Sequence, residues 1–353
     1  MKEKKINFIQ IIKDFFQRKN QKRLPEGKEQ KTNFTERLKD GVTNVRTPQN
    51  RTIDYAIEQF LIAYIINSEK GKPSAYSSVV NLGGKIENEP SHRAEEVSLL
   101  NVLRKSNNFR IDKQRHGNFM NGNDIEAPNA PGDTSFYHIR TKAGESINDN
   151  VRLYLNPNRK NLLDMVGELT QRCQNIPLFF KFQSDKLLTE LAEKHDGRSE
   201  KIVIYCDSNV GGNLTQVINV LEQMKKEKPY LFEGCENNNP FLKSIDGIIC
   251  YANNPHSSEY HDLDGQIVTI APSYNSFLSK ALEESTDGAL MGISKMTNDT
   301  QLMTLSKTEK LKKLLSDNSS MLIAQIKHYL AICQQNNDVL DIKGIEDKSD
   351  KYR

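Results

Sequence analysis

Lys201-Ile202-Val203-Ile204-Tyr205-Cys206 is the stretch on which the fold turns. A short run of β-branched and aromatic residues is the clearest strand in the chain. Asn209-Val210-Gly211-Gly212 follows it as a turn, and Leu214–Lys226 then carries helical spacing. Upstream, Ser135–Arg140, Val151–Leu155 and Leu178–Gln183 read as strands. Between the last two, Leu162, Leu163, Val166 and Leu169 repeat with a helical period, so the order is strand, strand, helix, strand. Downstream, shorter strands are expected at Ile245–Tyr251 and Gln266–Ile270, and a helix runs through Met321, Leu322, Ile326, Tyr329, Leu330 and Cys333. Alternating strands and helices with mixed connections predict an α+β (mixed α/β) fold.

Nearer the N-terminus, Ile53, Ala56, Ile57, Phe60, Leu61 and Tyr64 lie three and four residues apart, placing one apolar stripe on a helix. A second helix is expected over Arg93–Lys105, with Val97, Leu99, Leu100 and Leu103 on its apolar face. Gly117–Gly132 is rich in Asn, Gly and Pro and reads as a loop at a domain boundary. Four regions follow: a basic flexible arm at 1–50, a helical subdomain at 51–125, an α/β domain at 126–290 and a C-terminal helical region at 291–353.

Bulk composition narrows the class. The chain has 353 residues, enough for one large domain or two ordinary ones. Apolar residues make up 36% and Trp is absent, a polar composition that is still globular. Residues 1–50 carry 13 Lys/Arg against 6 Asp/Glu, so the basic character of a chain with net charge +3 is concentrated in its arm. An arm of this kind suits a solvated tail, an acidic membrane surface or a nucleic acid. Its cations are not interleaved with aromatics for base stacking, so nucleic-acid binding is not expected. The longest apolar run, Phe60–Ile66, falls far short of the roughly 20 residues that span a bilayer. Polar residues interrupt Ile6–Phe16, which therefore lacks the continuous core of a secretory signal. Five scattered cysteines form neither a disulfide framework nor a zinc site. A cytoplasmic protein is expected, without cofactor or metal.

Familiar motifs remove most enzyme classes. There is no phosphate-binding Gly-rich loop ending in Lys-Ser/Thr, no dinucleotide fingerprint, no kinase set and no nucleophile elbow. His256, Glu259 and His261 have neither helical zinc spacing nor a third ligand, and read as loop residues. What remains is Gly132-Asp133-Thr134-Ser135-Phe136-Tyr137-His138-Ile139-Arg140. On a strand His138 and Arg140 share a face, presenting an imidazole and a guanidinium together, a pairing that suits a phosphate. Arg152 and Tyr154 share a face in the same way. In Phe179-Phe180-Lys181-Phe182 a lysine sits inside an aromatic run, where desolvation lowers its pKa toward that of a useful base. The alternative is a lysine whose stem packs on the core while its amine reaches solvent.

Gly-Asp, a strand with His-Ile, a helix, a strand with Lys between large apolar residues, and a strand ending in Ile-Tyr together resemble the phosphothreonine lyases among bacterial type III effectors. The order is also similar to HopA-type effectors and to the lyase components of lanthipeptide synthetases. The resemblance covers roughly residues 130–210. It implies a lyase-like domain and β-elimination from a phosphorylated or otherwise modified Ser/Thr of a protein or peptide, with a kinase supplying the substrate. His138 would be the general acid and Lys181 the general base, with Arg140, Arg152, Lys201 and Tyr205 around the phosphate. Effector lyases place lysines two residues before each of these catalytic groups; here those positions hold Phe136 and Phe179. The rival reading is a non-catalytic bacterial effector that binds a host protein through the same fold, placing it in the host cytosol.

Overall fold

The computed structural model describes residues 52–84, 87, 89–106, 108–115, 118–120, 134–142, 144, 147–193, 197–209, 211–236, 238–245, 247–297 and 300–342. The basic arm, most of the loop at 117–132, Gly132-Asp133 of the histidine motif and the tail 346–353 lie outside the described residues.

Helix α1 (Ile53–Glu69) begins where Thr52 accepts a hydrogen bond from the backbone N–H of Tyr55 at 3.2 Å, with Asp54 in the positive first turn. Helices α2 (Ala75–Val80) and α3 (Arg93–Lys105) follow. Strands β1 (Phe109–Arg115), β2 (Asn118–Met120), β3 (Thr134–Thr141) and β4 (Val151–Leu155) precede α4 (Arg159–Cys173). Strand β5 (Phe179–Gln183), α5 (Asp185–Glu193), β6 (Ile202–Cys206) and α6 (Leu214–Glu227) come next. Short strands β7 (Lys243–Ser244), β8 (Cys250–Asn253), β9 (Glu259–His261) and β10 (Ile267–Thr269) lead to α7 (Tyr274–Thr297), α8 (Thr300–Thr304) and α9 (Lys307–Asn336). The fold is α+β.

Eight strands form one sheet in the order β2-β1-β3-β5-β6-β4-β8-β7, and every pairing is antiparallel. Strand β6, buried along its whole length, lies between β5 and β4. Strand alternation gives the sheet two unlike faces. On one, Ile139, Leu153, Leu155, Phe180, Phe182, Ile202 and Ile204 pack against Leu162, Met165, Val166 and Leu169 of α4 and Val217, Leu221 and Met224 of α6. Burying each of these large side chains contributes about 1.5–3 kcal/mol. The other face contributes Tyr154, Val203, Tyr205 and Ala252 to a second core, built mainly from α1, α2, α7 and α9. Helices α7 and α9 approach closely at Gly288, where a Cβ would stand 3.0 Å from the Tyr329 ring. A capping box between Ser306 and Glu309 starts α9, and Asn318 interrupts its helical backbone.

The strands depart from the periodic reading at β1, β2, β9 and the β7–β8 hairpin: β2 lies inside the segment read as a loop at Gly117–Gly132, and Glu259 and His261, read as loop residues, stand in β9. The strand expected over Ile245–Tyr251 is a hairpin between β7 and β8. Gly247 turns the chain at φ 82°, and its N–H donates to Ser244 Oγ at 2.5 Å. Strand β1 carries no alternating apolar signal: among its side chains described as buried only Ile111 is apolar, and Asp112 is the other.

Ion pairs secure the segment between α2 and α3. Arg159, 4% exposed, holds Asp185 at 2.6 Å, donates to Thr189 at 2.7 Å and reaches the Glu89 carbonyl at 3.4 Å. Glu96 accepts from the Asp185 backbone N–H at 2.6 Å and from Tyr137 at 3.2 Å. Pairing of this kind offsets much of the cost of burying these charges.

Candidate functional site

Register, more than sequence distance, assembles the site. In β3 and β5 His138 lies directly opposite Lys181, and Arg140 opposite Phe179. The next pairings put Phe179 opposite Tyr205 and Lys181 opposite Val203, and Arg152 lies opposite Tyr205 across β6 and β4. Directly opposed residues share a face. Phe136, His138, Arg140, Phe179, Lys181, Tyr205 and Arg152 therefore form one patch across four strands, away from the α4 and α6 core.

Cations and rings alternate over this patch. Phe179 stacks on Tyr205 with centroids 4.2 Å apart and planes inclined by 13°. The Arg140 guanidinium lies 4.0 Å from the centre of the Phe179 ring, and that of Arg152 lies 4.9 Å from Tyr205. Lys181 Nζ sits 4.4 Å from the Phe136 centroid, with the guanidinium of Arg198 at 5.6 Å from the same ring. Aromatic faces attract such cations and hold them in place while leaving their N–H groups available. The Nε atoms of Arg140 and Arg152 are buried without a hydrogen-bond partner. A terminal nitrogen of Arg152 contacts the Pro272 carbonyl at 3.5 Å.

Crowding these charges in a partly dry place shifts their protonation. Burial lowers Lys181 to about 8; the Glu200 carboxylate opposes this drop, and Arg152 and Arg198 add to it. Burial also holds His138 down at about 3, reinforced by the charges of Lys181, Arg140 and Arg152. Tyr205 is pushed up to about 12 by its burial, with Arg152 acting against the shift. At neutral pH the face thus carries a neutral imidazole beside a lysine that keeps a minor neutral fraction.

Five of the six expected site residues meet on this face: His138, Lys181, Arg140, Arg152 and Tyr205. Lys201 does not join them. Its ammonium donates to the Pro157 carbonyl at 2.7 Å and pairs with Glu87 at 3.2 Å. Residue 201 stands in a bend before β6 begins, so strand alternation does not govern where its side chain goes. Three further residues reach the face from sequence positions that carry no periodic signal. Arg198 and Glu200 come from the segment before β6, and Tyr76 of α2 feels the charges of both. Gly84 lets that segment approach, since a Cβ there would stand 2.4 Å from the Gly197 carbonyl carbon and 2.5 Å from the Arg198 nitrogen.

Among the described residues no cluster of three or more His, Cys, Asp or Glu side chains could hold a metal ion. No described helix is long and apolar enough to cross a membrane. The sequence matches no family model and no curated protein. Two solved structures are similar to it. An effector protein from Pseudomonas syringae pv. tomato strain DC3000 is 13% identical, with a TM-score of 0.43 over 82% of this chain and 98% of that one. An effector protein from Pseudomonas syringae pv. syringae strain 61 is 15% identical, with a TM-score of 0.41 over 67% of this chain and 96% of that one.

Proposed function

We propose that this chain is a phosphothreonine/phosphoserine lyase-like enzyme that eliminates phosphate from a phosphorylated Ser/Thr of a protein or peptide. The observation that carries this reading is the direct cross-strand pairing of His138 with Lys181 inside a face of arginines and rings. Lys181, in its neutral form, removes the Cα proton. The electrons of that C–H bond form the Cα=Cβ double bond, the Cβ–O bond breaks, and phosphate leaves with its charge balanced by Arg140, Arg152 and Arg198. A Cα proton beside an amide is weakly acidic, so a base shifted to about 8 suits the task better than an ordinary lysine. Burial and the neighbouring cations hold the His138 imidazole neutral, and the charge of an entering phosphate opposes those cations, so that the ring takes up a proton as the substrate binds. Once protonated, His138 delivers that proton to the departing oxygen. Positioned cations then act on the charge that develops as the C–O bond opens. Phe136 and Phe179 stand where effector lyases carry lysines, and each has a cation on its ring.

Mass spectrometry of phosphothreonine and phosphoserine peptides after incubation tests the reading. Elimination yields a product one water lighter than hydrolysis does, and Lys181→Ala or His138→Ala should each abolish it. A phosphopeptide bound tightly and released unchanged would instead establish the binding module that uses this face without turnover. Hydrolysis to the plain hydroxyl residue would refute the lyase chemistry.

A further inference from the structure

A face made only of donors attracts any tetrahedral oxyanion, and Glu200 breaks that pattern. Its side chain is 5% exposed. Its backbone carbonyl accepts from Gln183 Nε2 at 2.9 Å. The preceding Ser199 is tied to the Val80 carbonyl at the end of α2 through its N–H at 3.2 Å and its hydroxyl at 3.3 Å. The segment is thus fixed, and Glu200 Oε1 is buried with no hydrogen-bond partner. Gln183 Oε1 shares that condition on the Lys181 side of β5. The groups that Glu200 acts on electrostatically are Lys181 of β5, Tyr76 of α2, Arg152 and Tyr154 of β4, and Tyr205 of β6. Most of these belong to the cationic face. A buried carboxylate oxygen without a donor is costly, and such a group in a folded protein calls for a partner.

Resting on the reading of this face as a phosphate site, we propose that Glu200 is a specificity-determining acceptor that takes a hydrogen bond from the P–OH of a protonated phosphate. The cations then supply attraction to the anionic oxygens, and Glu200 decides which anion is kept. A phosphomonoester still carries a proton over part of the physiological pH range, since its second ionisation falls at about pH 6. Sulfate, of similar size and shape, has no proton to offer near neutrality. Its oxygen would face the carboxylate oxygen, acceptor against acceptor, with neither satisfied. Sites built around a buried hydrogen-bonding group reject ligands that lack its complement.

Isothermal titration of the full chain with inorganic phosphate and, separately, with sulfate at about pH 6 tests this. Phosphate should bind at least about tenfold more tightly, as expected for one charge-assisted hydrogen bond. In Glu200→Gln the amide can donate where the carboxylate only accepts, so sulfate should gain affinity and the gap should close to within about threefold. Equal binding of both anions by the wild-type chain overturns the proposal and leaves the phosphate face standing. Binding of neither anion overturns both. A folded Glu200→Gln chain that still discriminates also overturns it, and the wild-type comparison decides even where that variant does not fold.

Discussion

Replacing Lys181 with methionine should stabilise the protein while removing its chemistry. In the folded chain this lysine loses its proton near pH 8 instead of at its ordinary 10.5, chiefly because it is buried. Between those values the unfolded chain binds the proton and the folded chain does not, so stability rises with pH across that window. Below it, the charged amine costs the fold at most about 3–4 kcal/mol, at about 1.4 kcal/mol per tenfold change in proton affinity. Partial exposure reduces that figure, and methionine also forfeits the cation contact with Phe136, about 0.5–1 kcal/mol. The expected net gain for Lys181→Met is about 1–2 kcal/mol at about pH 7, shrinking toward zero by about pH 10. Urea unfolding of both chains at the two pH values measures it, and a peptide elimination assay should show a loss of at least about a hundredfold. A variant that is less stable at pH 7, or whose stability difference does not change with pH, would refute the reasoning that burial strains this charge.

Three further outcomes are expected. With Lys181 titrating at about 8, its neutral fraction should rise about fivefold from pH 7 to pH 8 and less than about twofold from pH 8 to pH 9, read by NMR titration of the labelled lysine. Arg159→Met should cost about 3–5 kcal/mol in chemical denaturation, because it leaves the Asp185 carboxylate, 5% exposed, without its counter-charge. Gly84→Ala should destabilise by about 1–3 kcal/mol through the clash with Gly197. It should also weaken phosphate binding by displacing Arg198, and unchanged phosphate affinity in that variant would detach Arg198 from the site.

Much of the sheet is legible residue by residue. Alternation alone puts His138 with Arg140 and Arg152 with Tyr154, and the structure keeps both pairings on one face. Alternation does not say which strands are neighbours. The insertion of β6 between β5 and β4, which brings Arg152 to Tyr205 and Phe179, depends on long-range packing of two cores. Strand β1 escapes because Arg110 and Asp112, a charged pair 3.3 Å apart, occupy its site-side positions. Glu200 and Lys201 escape for a different reason. They lie in irregular backbone just before β6, where direction is set by the local partners Pro157, Glu87 and Gln183 and no period applies.

The two unlike faces of the sheet also bear on how such a protein can change over generations. Along β3, β5 and β4, core and site residues interleave one by one, so each strand carries two messages in a single reading frame of side chains. Point substitutions can edit either message separately, exchanging a ring or a guanidinium while Phe180 and Phe182 stay in the core. Inserting or deleting one residue within β5 would turn Lys181 into the apolar core and Phe180 out toward His138, erasing both messages together. Length variation among descendants should therefore collect in the connections, while the strand lengths through the site stay constant.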